Sequence, residues 1–193
     1  MTSWTGYAGG SKKGNPPDTA CYHNALFRND YGKLGHGEVV QMQIPSKNYK
    51  QFAEVYAGLF DKNGDRPDKG DRGPEYRHLV GIPGGVKSPL FKDLEEVFSK
   101  RGISVLTGKG DDGDNLGKKS VWVMDLAEFP FYRAEAYHQY HDGFFPGEDY
   151  PKSYNQLKDQ AKEDGRLQTS KICPDEGTWE TNAQKQELML YTS

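Results

Sequence analysis

The spacing of apolar residues predicts two amphipathic helices. Apolar side chains recur every three or four positions over residues 49–60, where the aromatic residues are expected to pack in the core. The same spacing returns over residues 89–100. Ser46 is the expected N-cap of the first helix, and Gly102 is the expected stop of the second. Each helix therefore has one face to bury against a neighbouring layer.

Strands are indicated between and after these helices. Residues 39–45 alternate apolar and polar side chains up to Pro45, which is typical of a half-buried strand. Short apolar runs predict further strands at 76–82, 103–106 and 120–126, the last apolar on both faces and therefore central. This order predicts an α+β fold, a two-layer sandwich with helices on a mixed β-sheet.

The rest of the chain is expected to be loop and tail. Residues 11–34 are rich in Gly, Pro, Asn and Asp, which is typical of a long surface loop. A short helix is predicted over residues 133–141. The polar segment after Gly143 is expected to wrap the domain as a tail, with a helical segment near 182–191. We expect a single domain over residues 1–193, with its core in about 6–141.

Composition narrows the classes of partner. The 193 residues include 25 Lys and Arg against 28 Asp and Glu, giving a net charge of −3 with the charges interspersed. We therefore expect no nucleic-acid or membrane partner, and a monomer. The cysteines, Cys21 and Cys173, lie far apart in the sequence, which argues against a disulfide framework. This usage fits a reducing compartment, and the expected location is cytoplasmic.

Glu38 is the first candidate for chemistry. It opens the predicted strand at 39–45 and follows Gly35-His36-Gly37, so that backbone or substrate could approach its carboxyl group closely. A low local dielectric would raise its pKa towards the range of a general acid. The alternative is that Glu38 only marks the end of a strand in water.

Four blocks together suggest a family. They are Gly-Tyr-Ala-Gly-Gly at 6–10, Gly-His-Gly-Glu-Val-Val-Gln at 35–41, Asp-Arg-Gly-Pro-Glu-Tyr-Arg at 71–77 and Phe-Tyr-Arg-Ala-Glu-Ala-Tyr-His-Gln at 131–139. In this order and spacing the chain resembles the peptide methionine sulfoxide reductase A family over about residues 6–141. The resemblance implies a split βαβ, ferredoxin-like fold. It also implies reduction of methionine (S)-S-oxide in oxidised proteins or as the free amino acid, with no bound cofactor and with thioredoxin or another dithiol as reductant.

The resemblance also assigns roles to individual residues. Glu38 corresponds to the acid that protonates the sulfoxide oxygen. Tyr22, in the block Ala-Cys-Tyr-His-Asn at 20–24, and Tyr76 correspond to the phenols that hold that oxygen. Asp71 would order Tyr76 or a bound water molecule. These are the roles expected in repair of oxidative damage to proteins.

The thiol that such chemistry needs is the missing part. The family's Gly-Cys-Phe-Trp nucleophile segment has no counterpart, because only Met-Thr-Ser-Trp-Thr precedes the first block. We therefore expect that a strand and the nucleophile helix are lost from the start, and that the chain as given has little activity. The alternative is a non-catalytic relative that binds methionine-sulfoxide-like side chains or a protein partner.

Two other sets of residues leave alternatives open. Cys21, at a threonine-like position, is either a substitute nucleophile or a small packing residue, and Cys173 is either a recycling thiol or an incidental cysteine of the tail. Glu135, His138 and His141 recur every three residues, which is a spacing found among metal ligands. Glu135 and His138 lie in the last block of the family-like pattern, which the resemblance implies is used without a metal, so no metal is expected.

Overall fold

The computed structural model describes residues 3–110, 112–140, 152–167 and 172–173. Among the described residues, no helix is both long enough and apolar enough to cross a membrane. The regular elements, in chain order and by type, are β1 (Ser3–Ala8), β2 (Gly37–Met42), β3 (Leu79–Ile82), β4 (Ser104–Thr107), β5 (Ser120–Asp125) and β6 (Tyr132–Arg133), with α1 (Tyr49–Gly58), α2 (Phe91–Ser99) and α3 (Lys152–Glu163).

The described strands form two three-stranded sheets. The first has the order β2-β1-β6 and is antiparallel, and its register sets Tyr7 opposite both Glu38 and Tyr132. The second has the order β3-β5-β4 and is parallel, with the predicted central strand β5 in its middle. The α+β class is confirmed. The parallel and antiparallel pairs lie in separate sheets among these strands, whereas the sequence predicts a single mixed sheet.

Strand β1 has a close neighbour on one side. A Cβ atom at Gly6 would overlap the carbonyl oxygen of Tyr132 and the ring of Phe131, so only glycine permits this pairing of β1 with β6. Gly6 within the strand, Gly9 and Gly10 directly after it, and the absence of an alternating pattern explain why no strand is predicted there.

The main core lies between the parallel sheet and the two predicted helices. Helix α1 buries Tyr49, Ala53 and Ala57, and the buried residues of α2 and β5 that meet them are Leu94, Val97, Phe98, Val121 and Val123. The predicted apolar face of α1 is only partly buried. Phe52, Val55 and Leu59 are 40%, 66% and 47% exposed, because small alanines form the face that packs on the sheet.

The segment after β6 differs from its prediction. A 3₁₀ turn at Ala136–His138 stands where a helix over 133–141 is expected. The side-chain amide of Gln139 instead bonds to the backbone of β1. It accepts from the Thr5 N–H at 3.0 Å and donates to the Thr5 carbonyl oxygen at 2.9 Å. Helix α3, within the predicted tail, packs Ala161 against Ala136. The predicted helix near 182–191 lies outside the described residues.

Candidate functional site

Glu38 lies near the start of β2 with its carboxyl group partly buried. The Tyr31 hydroxyl donates to Glu38 Oε1 at 2.8 Å and lies 3.3 Å from Glu75 Oε2. Burial raises the pKa of Glu38, and the charges of Asp71 and Glu75 add to this, while the Tyr31 hydrogen bond acts in the opposite direction. The carboxyl group therefore retains its proton to a higher pH than an exposed glutamate does.

Tyr76 reaches the same region from a different part of the chain. It ends the 3₁₀ turn Pro74–Tyr76, which packs against β2. Its pKa is raised by burial, then by the charges of Glu38 and Asp71. The phenol is therefore a neutral hydrogen-bond donor across the physiological range. Asp71 itself is exposed, and its negative charge raises the pKa of Glu38, Tyr22 and Tyr76.

Tyr22, in the long loop, is the third residue that lies near Glu38. Its ring lies 5.9 Å from that of Tyr31 and 4.4 Å from that of His138, measured between centroids. Burial raises the pKa of Tyr22, followed by the charges of Glu38 and Asp71. The four residues that the resemblance selects thus act on one another electrostatically. We call these four, together with Tyr31, the acid–tyrosine cluster, whose members are Tyr22, Tyr31, Glu38, Asp71 and Tyr76.

Tyr31 is the member that the sequence does not reveal. It is fully buried, and its ring stacks on that of Tyr7 with centroids 4.3 Å apart and planes 9° from parallel. It belongs to no motif, since it lies in the loop between two of the blocks. Its backbone is held by Cys21, because the Tyr31 N–H donates to the Cys21 oxygen at 2.8 Å.

His23 is a second residue that sequence reasoning does not assign. Its ring nitrogens lie 3.0 Å from Asp30 Oδ2 and 3.0 Å from Glu75 Oε2. Burial lowers the pKa of His23, but the hydrogen bond to Asp30 and the charge of Glu75 outweigh it, so the pKa is raised. Protonated His23 therefore offsets part of the negative charge around Glu38, whose pKa it lowers.

Arg77 holds the backbone around the cluster. Its buried guanidinium donates to the carbonyl oxygens of Pro74 at 2.7 Å, Gly9 at 3.0 Å and Gly35 at 2.9 Å. These contacts join the end of β1, the start of β2 and the turn that carries Tyr76. A Cβ atom at Gly37 would lie 3.1 Å from the Glu75 carbonyl oxygen, so any other residue would require β2 and this turn to move apart by a few tenths of an ångström.

The two cysteines form a disulfide. Cys21 and Cys173 are bonded across a sequence separation of 152 residues with their Cα atoms 5.5 Å apart. The argument from sequence against a disulfide framework does not predict this bond, because separation along the chain does not report distance in a fold. Cys21 is 1% exposed and Cys173 is 8% exposed. The bond thus lies within the structure, one residue along the chain from Tyr22.

Glu135 lies beside this disulfide. Its Oε1 accepts from the Tyr22 N–H at 2.7 Å, and its Oε2 accepts from the Tyr7 hydroxyl at 2.9 Å. A carboxylate oxygen of Glu135 and the two sulfur atoms lie within 4.8 Å of one another. The predicted metal-type spacing groups Glu135 with His138 and His141. Burial lowers the pKa of His138 to about 4, and its ring packs on Tyr22, while His141 lies outside the described residues.

The cluster places the Glu38 carboxyl group, a possible proton donor, within electrostatic reach of the Tyr22 and Tyr76 phenols, which are hydrogen-bond donors, and Tyr22 follows Cys21 of the disulfide directly in the chain. Compared with models of known protein families, with curated proteins and with solved structures, the chain shows no match.

Proposed function

We propose that this chain reduces methionine sulfoxide by thiol chemistry, with Glu38 as the acid of the reaction. The observation that carries the proposal is the partly buried Glu38 carboxyl group held by the Tyr31 hydroxyl at 2.8 Å, with a pKa raised by burial. A carboxyl group whose pKa is raised by burial retains its proton to a higher pH than an exposed one, which suits it to act as a general acid. Tyr22 and Tyr76 would hold the sulfoxide oxygen, and Asp71 would order Tyr76 or a bound water molecule.

The thiols of this chain would come from Cys21 and Cys173, since the sequence contains two cysteines. In the reduced chain one thiolate attacks the sulfoxide sulfur, and the oxygen accepts protons, one of them from Glu38. The second thiol then completes the disulfide. One sulfoxide and two thiols give one sulfide, one disulfide and one water molecule, so atoms and electrons balance. An external dithiol such as thioredoxin would restore the thiols.

The proposal distinguishes the oxidised chain from the reduced chain. The expectation of little activity, which follows from the missing nucleophile segment, is replaced here by a proposal for each state: the oxidised chain, in which the Cys21–Cys173 bond leaves neither sulfur as a thiol, is inactive. Activity is proposed for the reduced chain. The cytoplasmic location belongs to the same proposal, because reducing dithiols are maintained there. The split βαβ arrangement of the family is also kept as a proposal, with the α+β class as its support.

A second candidate function is binding without turnover. It is favoured by the burial of both sulfurs, since Cys21 is 1% and Cys173 8% exposed and a sulfoxide must approach one of them. A non-catalytic protein would use the acid–tyrosine cluster to hold a methionine-sulfoxide side chain of a partner. The oxidation state of the cysteines would then not affect the chemistry of the ligand.

A single-turnover experiment tests the proposal. The full chain is reduced with dithiothreitol, freed of reductant and mixed with N-acetylmethionine sulfoxide of each sulfur configuration. We expect up to one sulfide per chain, from one configuration, with re-formation of the disulfide, whereas oxidised chain should give none. Binding without sulfide in both states would support the second candidate and contradict the first.

Serine variants of the two cysteines identify the attacking thiol. The variant that lacks the attacking cysteine should form no sulfide. The variant that lacks the other cysteine should form one sulfide and stop as a sulfenic acid, which dimedone traps. Equal activity of Cys21→Ser, Cys173→Ser and the double variant would show that the reduction does not use these thiols.

A further inference from the structure

We infer that Cys21, Cys173 and Glu135 form a binding site for a soft divalent cation such as Zn²⁺ when the disulfide is reduced. The inference rests on the position of the two sulfurs and one carboxylate oxygen, all within 4.8 Å of one another, with both cysteines buried and Glu135 half-buried. Two thiolates and one carboxylate are a ligand set suited to zinc. The inference also bears on the proposed function, because a bound cation would occupy the thiols that this function needs.

The distances suit such an ion after a small local change. Zinc lies about 2.3 Å from thiolate sulfur and about 2.0 to 2.2 Å from carboxylate oxygen in tetrahedral sites. Tetrahedral angles then set ligand atoms roughly 3.5 to 3.8 Å apart, within the 4.8 Å limit of the cluster. The Cα atoms of Cys21 and Cys173 are 5.5 Å apart, so rotation of their side chains can separate the two sulfurs without moving the chain.

The carboxylate of Glu135 is already oriented by its neighbours. The Tyr22 N–H donates to Oε1 at 2.7 Å and the Tyr7 hydroxyl donates to Oε2 at 2.9 Å. Each carboxylate oxygen has a second lone pair, so these bonds leave an acceptor site for a cation. Hydrogen bonds of this kind fix the orientation of metal-ligating carboxylates. Three protein ligands would leave the fourth tetrahedral position for water.

The reaction that forms the cation site balances in atoms and electrons. A dithiol reductant converts the disulfide to two thiols and is itself oxidised to a disulfide. Zn²⁺ then replaces the two thiol protons, which are released to solvent. The oxidised chain cannot form the site because both sulfurs are covalently bonded to each other. Cation binding should therefore follow the redox state of this pair.

Cobalt is the direct spectroscopic probe. The full chain is reduced with a phosphine, separated from it under nitrogen and titrated with Co²⁺, then with Zn²⁺ in competition. We expect one Co²⁺ per chain, a near-ultraviolet band from thiolate-to-cobalt charge transfer, visible bands of tetrahedral cobalt, and displacement by one Zn²⁺. The oxidised chain, which has the same sequence, is the control and should show none of these signals.

Variants show whether Glu135 is a ligand. Glu135→Gln should weaken Zn²⁺ binding on the order of 10²-fold, and Tyr7→Phe roughly 10-fold, since support around a ligand is worth 10- to 100-fold in affinity. Glu128→Gln, at an exposed glutamate, should leave the affinity unchanged. Circular dichroism checks that each variant is folded.

Three outcomes would overturn the inference. They are absence of cobalt binding by the reduced chain, equal binding by the oxidised chain, and native affinity in Glu135→Gln. None of these measurements uses a sulfoxide. A chain that binds zinc but forms no sulfide would therefore reject the proposed function alone, and a chain that forms sulfide but binds no zinc would reject this inference alone.

Discussion

The hydroxyl of Tyr31 donates a hydrogen bond of 2.8 Å to Glu38 Oε1 and so joins the long loop to the start of β2. Both residues also contact neighbouring parts of the site, since Tyr31 stacks on Tyr7 and Glu38 pairs with Tyr7 across the sheet. The acid is therefore fixed by a buried aromatic stack and a strand, which are more rigid supports than a loop alone.

Replacing Tyr31 by phenylalanine should raise the pKa of Glu38 further. The Tyr31 hydrogen bond favours the ionised carboxylate and lowers its pKa, so loss of the hydroxyl removes the main factor that opposes burial. The carboxyl resonance of Glu38, followed by NMR against pH, should titrate at a higher pH in the variant. Tyr49→Phe is the control, since its buried hydroxyl has no hydrogen-bond partner among the described residues. A lower or unchanged pKa in Tyr31→Phe would contradict the assigned contact.

Glu38 should make the folded chain less stable as the pH rises. Its pKa is raised in the folded state by burial, so above the unfolded value of about 4.3 the unfolded chain releases this proton first. The contribution of Glu38 to stability is complete below that value and is lost as the pH passes through the folded pKa. Glu38→Gln remains neutral and should lack this loss.

The measurement is the free energy of unfolding by urea at several pH values between 4 and 8. The difference in stability between Glu38→Gln and the native chain should move in favour of the variant as the pH increases. Glu95→Gln, at an exposed helical position, is the matched control and should give a nearly constant difference. A difference for Glu38→Gln that is independent of pH would show that the two states bind this proton equally.

The sequence predicts the periodic elements well and the contacts between distant loops poorly. Helices α1 and α2 and strand β5 can be predicted from the spacing of apolar residues, because that spacing determines which face of each element is buried. The 3₁₀ turn at Ala136–His138 does not follow, since Gln139 forms its hydrogen bonds with Thr5 on β1. No local pattern records a partner 134 residues away.

In the candidate site too, residues in short motifs can be predicted from the sequence, and contacts between distant segments cannot. Glu38, Tyr76 and Asp71 can be selected because short motifs mark them. Tyr31 and the Cys21–Cys173 bond cannot, because each depends on how the loop 11–36 packs against other segments. Glu135 is visible as a possible metal ligand from its spacing, but the ligand atoms grouped with it among the described residues are the sulfurs of the two cysteines.

Arg77→Lys should destabilise the chain by about 2 to 4 kcal/mol. The guanidinium satisfies three carbonyl oxygens from separate segments, and a lysine ammonium in the same space cannot reach all of them in this geometry. At least one buried acceptor would lose its partner. Urea unfolding measures the loss, with Arg72→Lys as control, because Arg72 is exposed and pairs with Asp65 at the surface. Equal effects of the two changes would show that the buried contacts of Arg77 contribute no more than a surface pair.

The central claim is that Glu38 supplies the proton in sulfoxide reduction, and its most direct test is the rate of a single turnover. Chain reduced at Cys21 and Cys173 is mixed with N-acetylmethionine sulfoxide, and sulfide is measured against time for the native chain, Glu38→Gln and the exposed control Glu128→Gln. Loss of a general acid costs 10²- to 10⁴-fold, so Glu38→Gln should slow sulfide formation on the order of 10²-fold or more while the control matches the native rate. A native rate in Glu38→Gln would contradict the claim and remove Glu38 from the chemistry.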